Sequence, residues 1–539
     1  MILVRSLRLE IGEDVSALTK KAAKKLKISP DEIKDIRLVK RSLDARRKND
    51  IHYTCSVAAS VKGNEAKLIA RARSTEVSEY SEPVYDLPRA VPGSRPVVVG
   101  FGPAGMFAAL VLAMAGAKPI VIERGQDAIS RRAAVDAFHA GGALNPESNV
   151  QFGEGGAGTF SDGKLNTGTH DKRMHWVLKQ FHEHGAKESV MYDAKPHIGT
   201  DVLIDIVQNI RADIIARGGE VRFSTRMERL ILDDSKRLTG IEIRDAEGVH
   251  TLDCDRLILA IGHSARDTFE SLHTSGVPME PKAFSMGVRI EHRQTAIDAA
   301  QYGRARGDEL PAADYSLNVH LPDGTSAYTF CMCPGGQVFA AASEAGGVVT
   351  NGMSYSRRDG ENANSALLVT LHPEDFPDKS TLGGMYWQRE IERAAYNYGG
   401  GSYLAPAQLV GDFLAHRASS GAKSVTPSYR PGVVWGELRE VLPGRISRVL
   451  ENALPELGRK LPGFDAPDAV LTAPETRSSS PVRITRDDRQ RSAVAGLYPC
   501  GEGAGYAGGI TSAAVDGMRC AEAVLRDMVE GCNPKEKST

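Results

Sequence analysis

The sequence has no long apolar run, almost no net charge and few cysteines. Of its 539 residues, 41% are hydrophobic and 25% are charged, as in ordinary globular proteins. No run reaches the roughly 18 apolar residues that a membrane-spanning helix needs, so we expect no membrane span. The formal net charge of −1 creates no overall field that would draw the whole chain to nucleic acid. The length allows roughly two to four domains.

The cysteines and the first residues predict a cytoplasmic protein. Seven cysteines are scattered and odd in number, which favours reduced thiols. Residues 1–5 are not a charged segment followed by a long apolar stretch, so we expect no signal peptide. Cys331 and Cys333 form a CxC pair rather than CxxC. This spacing favours structural thiols in a buried strand over a redox dithiol.

The most informative segment is a glycine-rich loop between two short apolar runs. PVVV at 96–99 precedes GFGPAG at 100–105, a helix-like segment follows at 106–115, and an apolar run at 119–122 ends on Glu123. This order of strand, GxGxxG loop, helix, strand and acidic residue is the fingerprint of a dinucleotide-binding βαβ unit. An ordinary glycine-rich turn in an α/β sheet is the less favoured alternative, because the flanking strands and the acidic residue all agree with the fingerprint.

Each part of the fingerprint has an expected role. Gly100 permits a tight turn, Gly102 lets the backbone approach a pyrophosphate, and Gly105 lets helix and strand pack closely. The new helix directs free N–H groups and its positive dipole end at the phosphates. Glu123 follows Gly100 by 23 residues, near the expected offset, and can accept hydrogen bonds from a ribose diol.

Two further glycine-dense segments predict contacts with the same ligand. Residues 149–164 contain many glycines and little apolar material, so their backbone can lie close to a flat or charged ligand; a flexible hinge is the alternative. Near the carboxyl end, a short strand at 496–500, a loop at 501–510 containing Glu502, and a helix at 511–528 form a second anion or ribitol site. The pairing of one fingerprint with this distant second site favours FAD over NAD, because FAD is long enough to need both.

The elements predict an α/β fold: an FAD-binding Rossmann-like domain with an inserted α+β substrate domain and a small amino-terminal α+β domain. The amino-terminal domain, 1–90, has strands at 3–11, 36–39 and 51–61, a helix at 15–26 and a capped helix start at 29–32. It carries 19 Lys or Arg against 13 Asp or Glu, a net +6. Lysines of the first helix could meet an acidic partner or RNA, although a solvated face is the favoured interpretation. A linker is expected at 91–96.

The two parts of the predicted FAD-binding domain share one sheet, and an inserted domain with its own antiparallel sheet and helices separates them. The first part of the FAD-binding domain, 91–283, has a helix at 201–216, a strand at 220–223 and β-like runs at 240–244 and 251–261. The inserted substrate domain, 284–471, is β-rich to about 371 and mostly helical over 378–461. Residues 472–539 close the FAD-binding domain.

Several blocks of the chain resemble a bacterial family of uncharacterised FAD-dependent dehydrogenases, and the resemblance is nearly end to end. The blocks are residues 149–164, DAKPHIGT at 193–200, GHSARD at 262–267, FCMCPGG at 330–336, NGMSY at 351–355, RDGENANS at 358–365 and ETRSSSPVR at 475–483. The resemblance implies the p-hydroxybenzoate-hydroxylase-like FAD fold, which geranylgeranyl-reductase-type flavoproteins also have. It implies no substrate.

The predicted site residues divide into cofactor contacts and candidates for chemistry. The predicted contacts with FAD are Gly100, Gly102, Pro103, Ala104, Gly105, Glu123, Arg124, Arg132, Gly155, Gly156, Ala157, Gly158, Thr159, Met227, Gly262, Gly501, Glu502, Gly508, Gly509, Ile510 and Thr511. His197, His263, Arg477 and Lys164 are candidate catalytic residues, since each lies in a polar loop where it could carry a proton or anchor an anion. Their alternatives are a histidine holding a carbonyl, an arginine on a cofactor phosphate and a solvated lysine. Asn351, Tyr355 and Asn364 could bond the flavin or the substrate. No metal-ligand spacing is evident.

These features predict a cytoplasmic FAD-dependent oxidoreductase that transfers a hydride between the flavin and a small-molecule substrate. The electron donor or acceptor is not specified by the sequence. Two alternatives stay open: an RNA-modifying flavoenzyme that uses the basic amino-terminal domain, and a flavoprotein whose FAD is structural.

Overall fold

The computed structural model of the chain describes residues 1–90, 93–165 and 171–532. The first two residues of the predicted linker, 91 and 92, therefore lie outside the described residues. Helices and strands are mixed along the chain in an α/β arrangement, which confirms the predicted fold class. Within the described ranges, no helix combines the length and apolar character needed to cross a membrane.

The amino-terminal residues fold into one antiparallel sheet backed by helices. The elements are β1 (Ile2–Glu10), α1 (Ala17–Leu26), β2 (Ile33–Asp44), β3 (His52–Val61), α2 (Glu65–Ala72) and β4 (Val77–Glu79), with the strand order β2–β3–β1–β4. Apolar residues of β1 and α1, among them Val4, Leu9 and Leu18, are buried together because each element turns one apolar face inward.

Two details of this unit differ from the sequence-based expectations or qualify them. The helix expected to start at 29–32 is only a single 3₁₀ turn, Pro30–Glu32, and β2 begins at the next residue. The β-branched Ile33 pairs with Val61 of β3 at that point, so sheet pairing prevails over the local helix-start signal. On the basic helix face, Lys25 pairs with Glu76, which offsets part of the positive charge that the less favoured interpretation assigned to an acidic partner or RNA.

The middle of the chain builds a parallel sheet together with a small antiparallel one. Its elements are β5 (Val97–Val99), α3 (Pro103–Met114), β6 (Ile120–Ile122), α4 (Ala128–His139), α5 (Arg173–Glu183), α6 (Thr200–Ala216), β7 (Glu220–Arg222), β8 (Arg226–Leu232), β9 (Leu238–Asp245), β10 (Gly248–Asp253), β11 (Leu257–Leu259) and α7 (Arg266–Thr274). The β run expected at 251–261 is two strands: β10 pairs with β9, and β11 joins the parallel sheet.

The remainder of the chain forms a large sheet, antiparallel except for its last pair of strands, and then returns to the parallel one. Its elements are β12 (Met279–Pro281), β13 (Phe284–Arg293), α8 (Gln294–Tyr302), β14 (Asn318–His320), β15 (Ser326–Ala340), β16 (Thr350–Met353), β17 (Asn362–Leu371), α9 (Gly383–Tyr398), β18 (Ala405–Leu409), α10 (Val410–Leu414), β19 (Val433–Trp435), α11 (Gly444–Lys460), β20 (Val470–Glu475), β21 (Val482–Ile484), β22 (Leu497–Pro499) and α12 (Ile510–Cys532).

The parallel sheet has the strand order β22–β11–β5–β6–β7. Strands from both ends of the chain therefore meet in one sheet, since β22 pairs with β11 and β11 pairs with β5. Helix α3 is buried from Ala104 to Ala113, which explains why its sequence lacks a polar face. Gly517 of α12 permits the close approach of the two helices, because a Cβ atom there would lie 2.0 Å from the Ala104 carbonyl oxygen.

The large sheet runs β14–β15–β17–β13–β20–β18–β19, and β16 pairs with β15. The region expected to be mostly helical, 378–461, also contributes β18 and β19 to this sheet. Their residues are short apolar runs that the helical pattern around them obscured. The domain division made from the sequence stays a prediction, although the boundary drawn after Leu471 falls inside β20.

Candidate functional site

A cavity of about 470 Å³ lies at the carboxyl edge of the parallel sheet. Residues that directly follow four of its strands line the cavity: Gly100 after β5, Glu123 after β6, Ala260 after β11 and Cys500 after β22. Parallel strands end at a common edge, and such an edge is the usual place for a ligand in an open α/β sheet. Residues of the large antiparallel sheet form the opposite wall, among them Cys331.

The first glycine loop takes its shape from close backbone approaches. Gly100 has a φ of +95°, and a Cβ atom there would lie 2.3 Å from the Ala260 carbonyl oxygen. A Cβ atom on Gly105 would lie 1.9 Å from the carbonyl oxygen of Gly100. Both positions therefore require glycine on steric grounds. Helix α3 begins at Pro103, with Gly102 as its N-cap, and its amino end faces the cavity.

Glu123 is buried and already holds three backbone amides. Its Oε2 accepts from Phe101 N at 2.8 Å, and its Oε1 accepts from Gly125 N and Gly153 N, each at 2.9 Å. The carboxylate thus joins the first glycine loop to the second. Oε2 keeps a free lone pair beside the cavity, so the predicted ribose contact and this loop-holding contact are compatible.

Arg131 fixes the second glycine loop, and the predicted contact Arg132 does not. The guanidinium of Arg131 is fully buried and donates to the carbonyl oxygens of Asn149, Val150 and Glu154, each at 2.7 Å. Arg132 is exposed, lies 3.7 Å from Asp136 and is outside the cavity lining. Residues 128, 131, 135 and 138 form the buried face of helix α4. Arg132 is the next residue after Arg131 and therefore lies outside that face.

The second glycine loop lies against both helix starts. A Cβ atom on Gly156 would lie 2.9 Å from the Cα of Gly102, just before α3. A Cβ atom on Gly158 would lie 3.1 Å from Cγ1 of Ile510, the first residue of α12. The loop therefore connects the two ends of the cavity, and side chains larger than hydrogen would close the space between them.

The loop before the second helix, α12, also carries an acidic residue, Glu502, but its carboxyl has different surroundings from that of Glu123. Glu502 lines the cavity, and burial raises the pKa of its carboxyl to about 7, although Lys282 opposes the shift. Within the part of the chain that the structure describes, no hydrogen bond to the Glu502 carboxyl is present. Gly508 and Gly509 also line the cavity and lead directly into α12.

Most of the predicted cofactor contacts line this one cavity. They are Gly100, Gly102, Pro103, Ala104, Glu123, Arg124, Gly156, Ala157, Gly158, Met227, Gly262, Glu502, Gly508, Gly509 and Ile510. Besides Arg132, five predicted contacts are not among its lining residues: Gly105, Gly155, Thr159, Gly501 and Thr511. These five shape the loops. For example, Gly501 N donates to Asp516, and the Thr511 hydroxyl donates to the Leu165 carbonyl.

Three of the four candidate catalytic residues line the cavity. They are Lys164, whose ammonium group donates to the Met332 carbonyl oxygen, His263 and Arg477. Burial, together with the cations Arg477 and Arg266, lowers the pKa of His263 to about 3, so its imidazole is neutral at physiological pH. His197 is not among the lining residues, and its Nε2 lies 3.3 Å from the Ser356 carbonyl oxygen.

Arg477 connects the cavity wall to a buried ion-pair network whose other members, Glu392 and Arg266, lie outside the lining. Its guanidinium donates to both oxygens of Glu392, at 2.9 and 2.8 Å, and Arg266 donates to the same two oxygens at 2.8 Å. Burial favours the neutral carboxyl, but the two cations lower the pKa of Glu392. Arg477 is therefore held by Glu392 rather than free to follow a substrate. Sequence patterns did not identify Glu392 or Arg266, because their partners come from distant segments.

A second buried pair, Arg289 and Glu475, belongs to the opposite wall, and Glu475 lines the cavity. The two side chains form two hydrogen bonds of 3.0 Å, and Arg289 also bonds Asn351 at 3.0 Å and Asn364 at 3.1 Å. Asn351 lines the cavity, whereas Asn364 is fully buried and outside the lining. Tyr355 is 42% exposed and also lies outside it. The block that carries Cys331 is likewise part of the wall, and Cys331 itself is only half-buried.

Three possible metal ligands lie together beside the cavity, although the sequence showed no spacing typical of metal ligands. Atoms of Cys500, Asp516 and Cys520 lie within 4.8 Å of one another. Asp516, however, accepts two hydrogen bonds from Arg486, at 2.9 and 2.6 Å, and one from Gly501 N at 2.7 Å. Its carboxylate is thus already neutralised and bonded within the protein.

Comparison with solved structures yields distant likenesses. A geranylgeranyl bacteriochlorophyll reductase-like protein from Thermoplasma acidophilum is 13% identical, with a TM-score of 0.38 and coverage of 81% of this chain and 79% of that one. A flavoprotein/dehydrogenase from Cytophaga hutchinsonii is 11% identical, with a TM-score of 0.35 and the same coverage. At these values neither likeness bears on the function of this chain.

Sequence comparison is more specific. Residues 283–478 match the family described as FAD-dependent protein, C-terminal domain-like, and residues 1–60 match a domain of unknown function. An uncharacterised protein of Clostridium beijerinckii is 47% identical over 532 residues, which cover 97% of this chain and 98% of that protein. The chain belongs to the same family as the Clostridium protein, a family of FAD-dependent proteins.

Proposed function

We propose that the chain binds one extended FAD molecule in this cavity and is an oxidoreductase acting on a small organic substrate. The observation that carries the proposal is the pair of helix starts, α3 and α12, at two parts of one cavity. They are brought together from opposite halves of the chain by the pairing of β22 with β11. Free N–H groups at helix starts stabilise negative charge.

The adenosine and pyrophosphate half of FAD fits the α3 side. The amino end of α3 and the glycine at 102 offer backbone amides beside the second glycine loop, where a Cβ atom on Gly156 would lie 2.9 Å from the Cα of Gly102. Glu123 offers Oε2 to a ribose hydroxyl. Arg124 lies over the ring of Phe152 at 4.1 Å and is held there by Asp267 at 2.9 Å, so this wall is fixed before a ligand binds.

The ribitol and ring half fits the α12 side. Glu502 is a half-buried carboxyl without a donor from the described residues, and a ribitol hydroxyl is a suitable partner for it. Gly508 and Gly509 lead to the amino end of α12, whose dipole favours negative charge on a flavin ring. FAD, when bound, supplies the hydride acceptor or donor.

The protein residues of the opposite wall would bind and orient the substrate. Lys164 lines the cavity and has no salt bridge among the described residues, whereas Arg358 is paired with the buried Asp162. Tyr315 and Asn351 add polar groups to the same lining. A small molecule with a carboxylate or another anionic group is therefore the substrate class that this wall favours.

The first experiment measures FAD in the purified chain. We expect a yellow protein with a flavin spectrum and about one FAD per chain after acid release; a colourless chain that neither carries nor binds added FAD would contradict the proposal. Anaerobic photoreduction followed by a screen of oxidants and reductants then tests turnover. Reoxidation no faster than that of free flavin, for every compound tried, would favour a structural role for FAD instead.

A further inference from the structure

One side of the cavity meets solvent between two distant segments of the chain. Lys195, Ser316 and Phe330 line the cavity and are exposed; together with Asp314 they form what we call the mouth. The Lys195 ammonium group donates to both carboxylate oxygens of Asp314, at 2.8 and 2.9 Å. The two partners are 119 residues apart in the chain, so an ion pair between side chains, rather than continuous backbone, crosses the mouth.

This ion pair is easily exchanged, although the backbone beside it is fixed. The side chain of Lys195 is 69% exposed and that of Asp314 is 29% exposed. An exposed pair contributes little to stability, because water solvates both charges. The next residue, Pro196, accepts a hydrogen bond from Leu165 N at 2.9 Å. Lys195 can therefore replace Asp314 by another anion while its backbone stays in place.

The amino-terminal domain holds the Lys195 side of the mouth. Its edge strand β2 pairs with the preceding segment: Arg41 N donates to the Tyr192 carbonyl oxygen at 2.7 Å, and Ala194 N donates to the Arg41 carbonyl oxygen at 2.8 Å. The Arg41 guanidinium donates to both carboxylate oxygens of Asp193, at 2.8 and 3.1 Å, and lies over the ring of Tyr192 at 5.2 Å. Lys195 directly follows this pairing, so the domain fixes the point from which its side chain extends.

The same domain contacts the Asp314 side. A Cβ atom on Gly303, directly after α8, would lie 2.8 Å from Cδ of Lys48. Within α8, Gln301 Nε2 donates to the Asp314 carbonyl oxygen at 2.6 Å. Four apolar residues of the domain also pack against the core beneath the large sheet: Ile11, Leu43, Ala45 and Ile51. The amino-terminal domain is thus joined to both sides of the mouth.

Two residues of the lining indicate which molecules suit the mouth. Phe330 is 37% exposed, and it follows Thr329, whose N donates to the Leu317 carbonyl oxygen at 2.8 Å. Its ring is therefore an apolar surface on the wall that carries Asp314. Lys164 is half-buried where Lys195 is exposed, and it lines the same cavity. A molecule with one anionic group and an apolar body would find partners for both parts.

We propose that the mouth is the substrate entrance, and that Lys195 selects small molecules with an anionic group and an apolar body by exchanging Asp314 for that group. Arg41 is a positioning residue, because it acts through the segment that carries Lys195. This role rests on the proposed function, since the cavity beyond the mouth is where a substrate would meet FAD. The exchange involves no covalent step: the anion replaces the Asp314 carboxylate at the Lys195 ammonium group.

Two thiol reagents of opposite charge test the selection. Ser316→Cys places a thiol in the mouth, and it is reacted with anionic sulfonatoethyl methanethiosulfonate or with cationic trimethylammonioethyl methanethiosulfonate. Mass spectrometry of peptides gives the rate at this position apart from the native cysteines, and each rate is divided by that of a free thiol. The full chain is used with FAD added and after flavin removal. We expect the ratio of the anion rate to the cation rate to exceed one.

Variants of the ion pair change this ratio in opposite directions. Lys195→Met leaves Asp314 unpaired and should lower the ratio about fivefold at low ionic strength, whereas Asp314→Asn should raise it about fivefold. Lys179→Met is the matched control. Lys179 is also exposed and paired, with Glu183 at 3.7 Å, but it lies outside the cavity lining, so the ratio should change less than about twofold.

The positioning role of Arg41 has its own readout. Arg41→Met and Arg41→Lys both lose the paired hydrogen bonds to Asp193, but the second variant keeps the charge. We expect the ratio to fall about twofold or more in both, towards that of Lys195→Met. A merely structural role would change the two rates by the same factor and leave the ratio unaltered.

Neutral reagents test the apolar part of the selection. Benzyl and methyl methanethiosulfonate differ only in an aromatic ring, and Phe330→Ser should lower the ratio of their rates at the Ser316→Cys position by about threefold. An unchanged ratio would remove the apolar body from the proposed substrate class.

The contrary results for the charge are equally definite. No reaction with either reagent, a ratio below one in both flavin states, or equal ratios in wild type, Lys195→Met and Asp314→Asn would overturn the proposal. A ratio that stays at the wild-type value in both Arg41 variants would overturn the role of the amino-terminal domain. FAD content is measured separately by absorbance, and the labelling does not require flavin, so failure of the proposed function and failure of the entrance are distinguishable.

Discussion

Glu123 and Glu502 are two carboxylates of one cavity, and they differ in the hydrogen bonds that the protein donates to them. Glu123 accepts hydrogen bonds from three backbone amides and joins two glycine loops. Glu502 accepts none from the described residues, and burial raises the pKa of its carboxyl to about 7. The first is therefore a structural part of the site before any ligand arrives, whereas the second is left for a ligand. This difference indicates that one end of the cavity is built rigidly and that the other is completed by its occupant.

The largest expected effect comes from breaking the rigid end at Arg131. Arg131→Met leaves at least three buried carbonyl oxygens of the second glycine loop without their donor, so we expect the free energy of unfolding to fall by more than about 4 kcal/mol. FAD content should fall with it. Chemical denaturation followed by fluorescence measures the change.

The neighbouring residue supplies the control for Arg131. Arg132→Met removes the same charge from an exposed position, and we expect a change within about 0.5 kcal/mol. Equal losses in the two variants would show that charge, rather than the hold on the loop, is what stabilises this end.

Glu123→Gln tests the rigid carboxylate directly. The side-chain amide of Gln can accept hydrogen bonds at its oxygen but not at its nitrogen, so at least one of the three backbone amides loses its acceptor. The NH₂ group of Gln then faces that backbone N–H, and the two donors repel each other. We expect stability without FAD to fall by about 1–3 kcal/mol. Thermal unfolding of the flavin-free chain measures it. An unchanged unfolding temperature would mean that the carboxylate is not part of the built site.

Glu502→Gln is the corresponding change at the open end. Because no described donor is lost, and because the carboxyl is protonated in both the folded and the unfolded chain at about pH 4, we expect the stability of the flavin-free chain to stay within about 0.5 kcal/mol at that pH. Affinity for FAD should fall roughly tenfold, as expected for one charge-assisted hydrogen bond. Titration calorimetry of FAD into the flavin-free chain measures it. A loss of stability as large as that in Glu123→Gln would contradict the proposal that only the Glu123 end of the cavity is held by the protein before FAD binds.

The open end should also show a pH dependence. The folded pKa of Glu502, about 7, lies above the unfolded value of about 4.3. Its contribution to the stability of the flavin-free chain is therefore fully present below about pH 4.3. The contribution is lost as pH rises to about 7, and stability changes no further from this cause at higher pH. Affinity for FAD should change the opposite way and rise several-fold from pH 6 to 8, because a hydroxyl donates better to the ionised carboxylate. The same titration of Glu502→Gln should show a flatter profile.

The sequence predicted the parts of the site that depend on local pattern. Gly100, Gly105 and Glu123 were identifiable because strand, loop and helix follow one another within one short segment. The α/β class followed in the same way. Strand β11 was harder, because residues 251–261 read as one run and only sheet pairing divides it.

Residues whose role depends on distant partners were not identifiable. Arg131 and Arg132 are adjacent and chemically identical, and only the orientation of α4 decides which one holds the loop. Arg289 and Glu392 act through partners that lie far away in the chain, as their contacts with Glu475 and Arg266 show. Cys331 and Cys333 looked equivalent until a bulge in β15 placed only one of them in the cavity wall.

The most direct test of the account is a crystal structure of the chain with FAD. It predicts an adenosine ribose hydroxyl within hydrogen-bond distance of Glu123 Oε2 and a ribitol hydroxyl within hydrogen-bond distance of the Glu502 carboxylate. An FAD molecule bound elsewhere, or one in this cavity with Glu502 remote from its ribitol, would contradict the assignment of a built end and an open end.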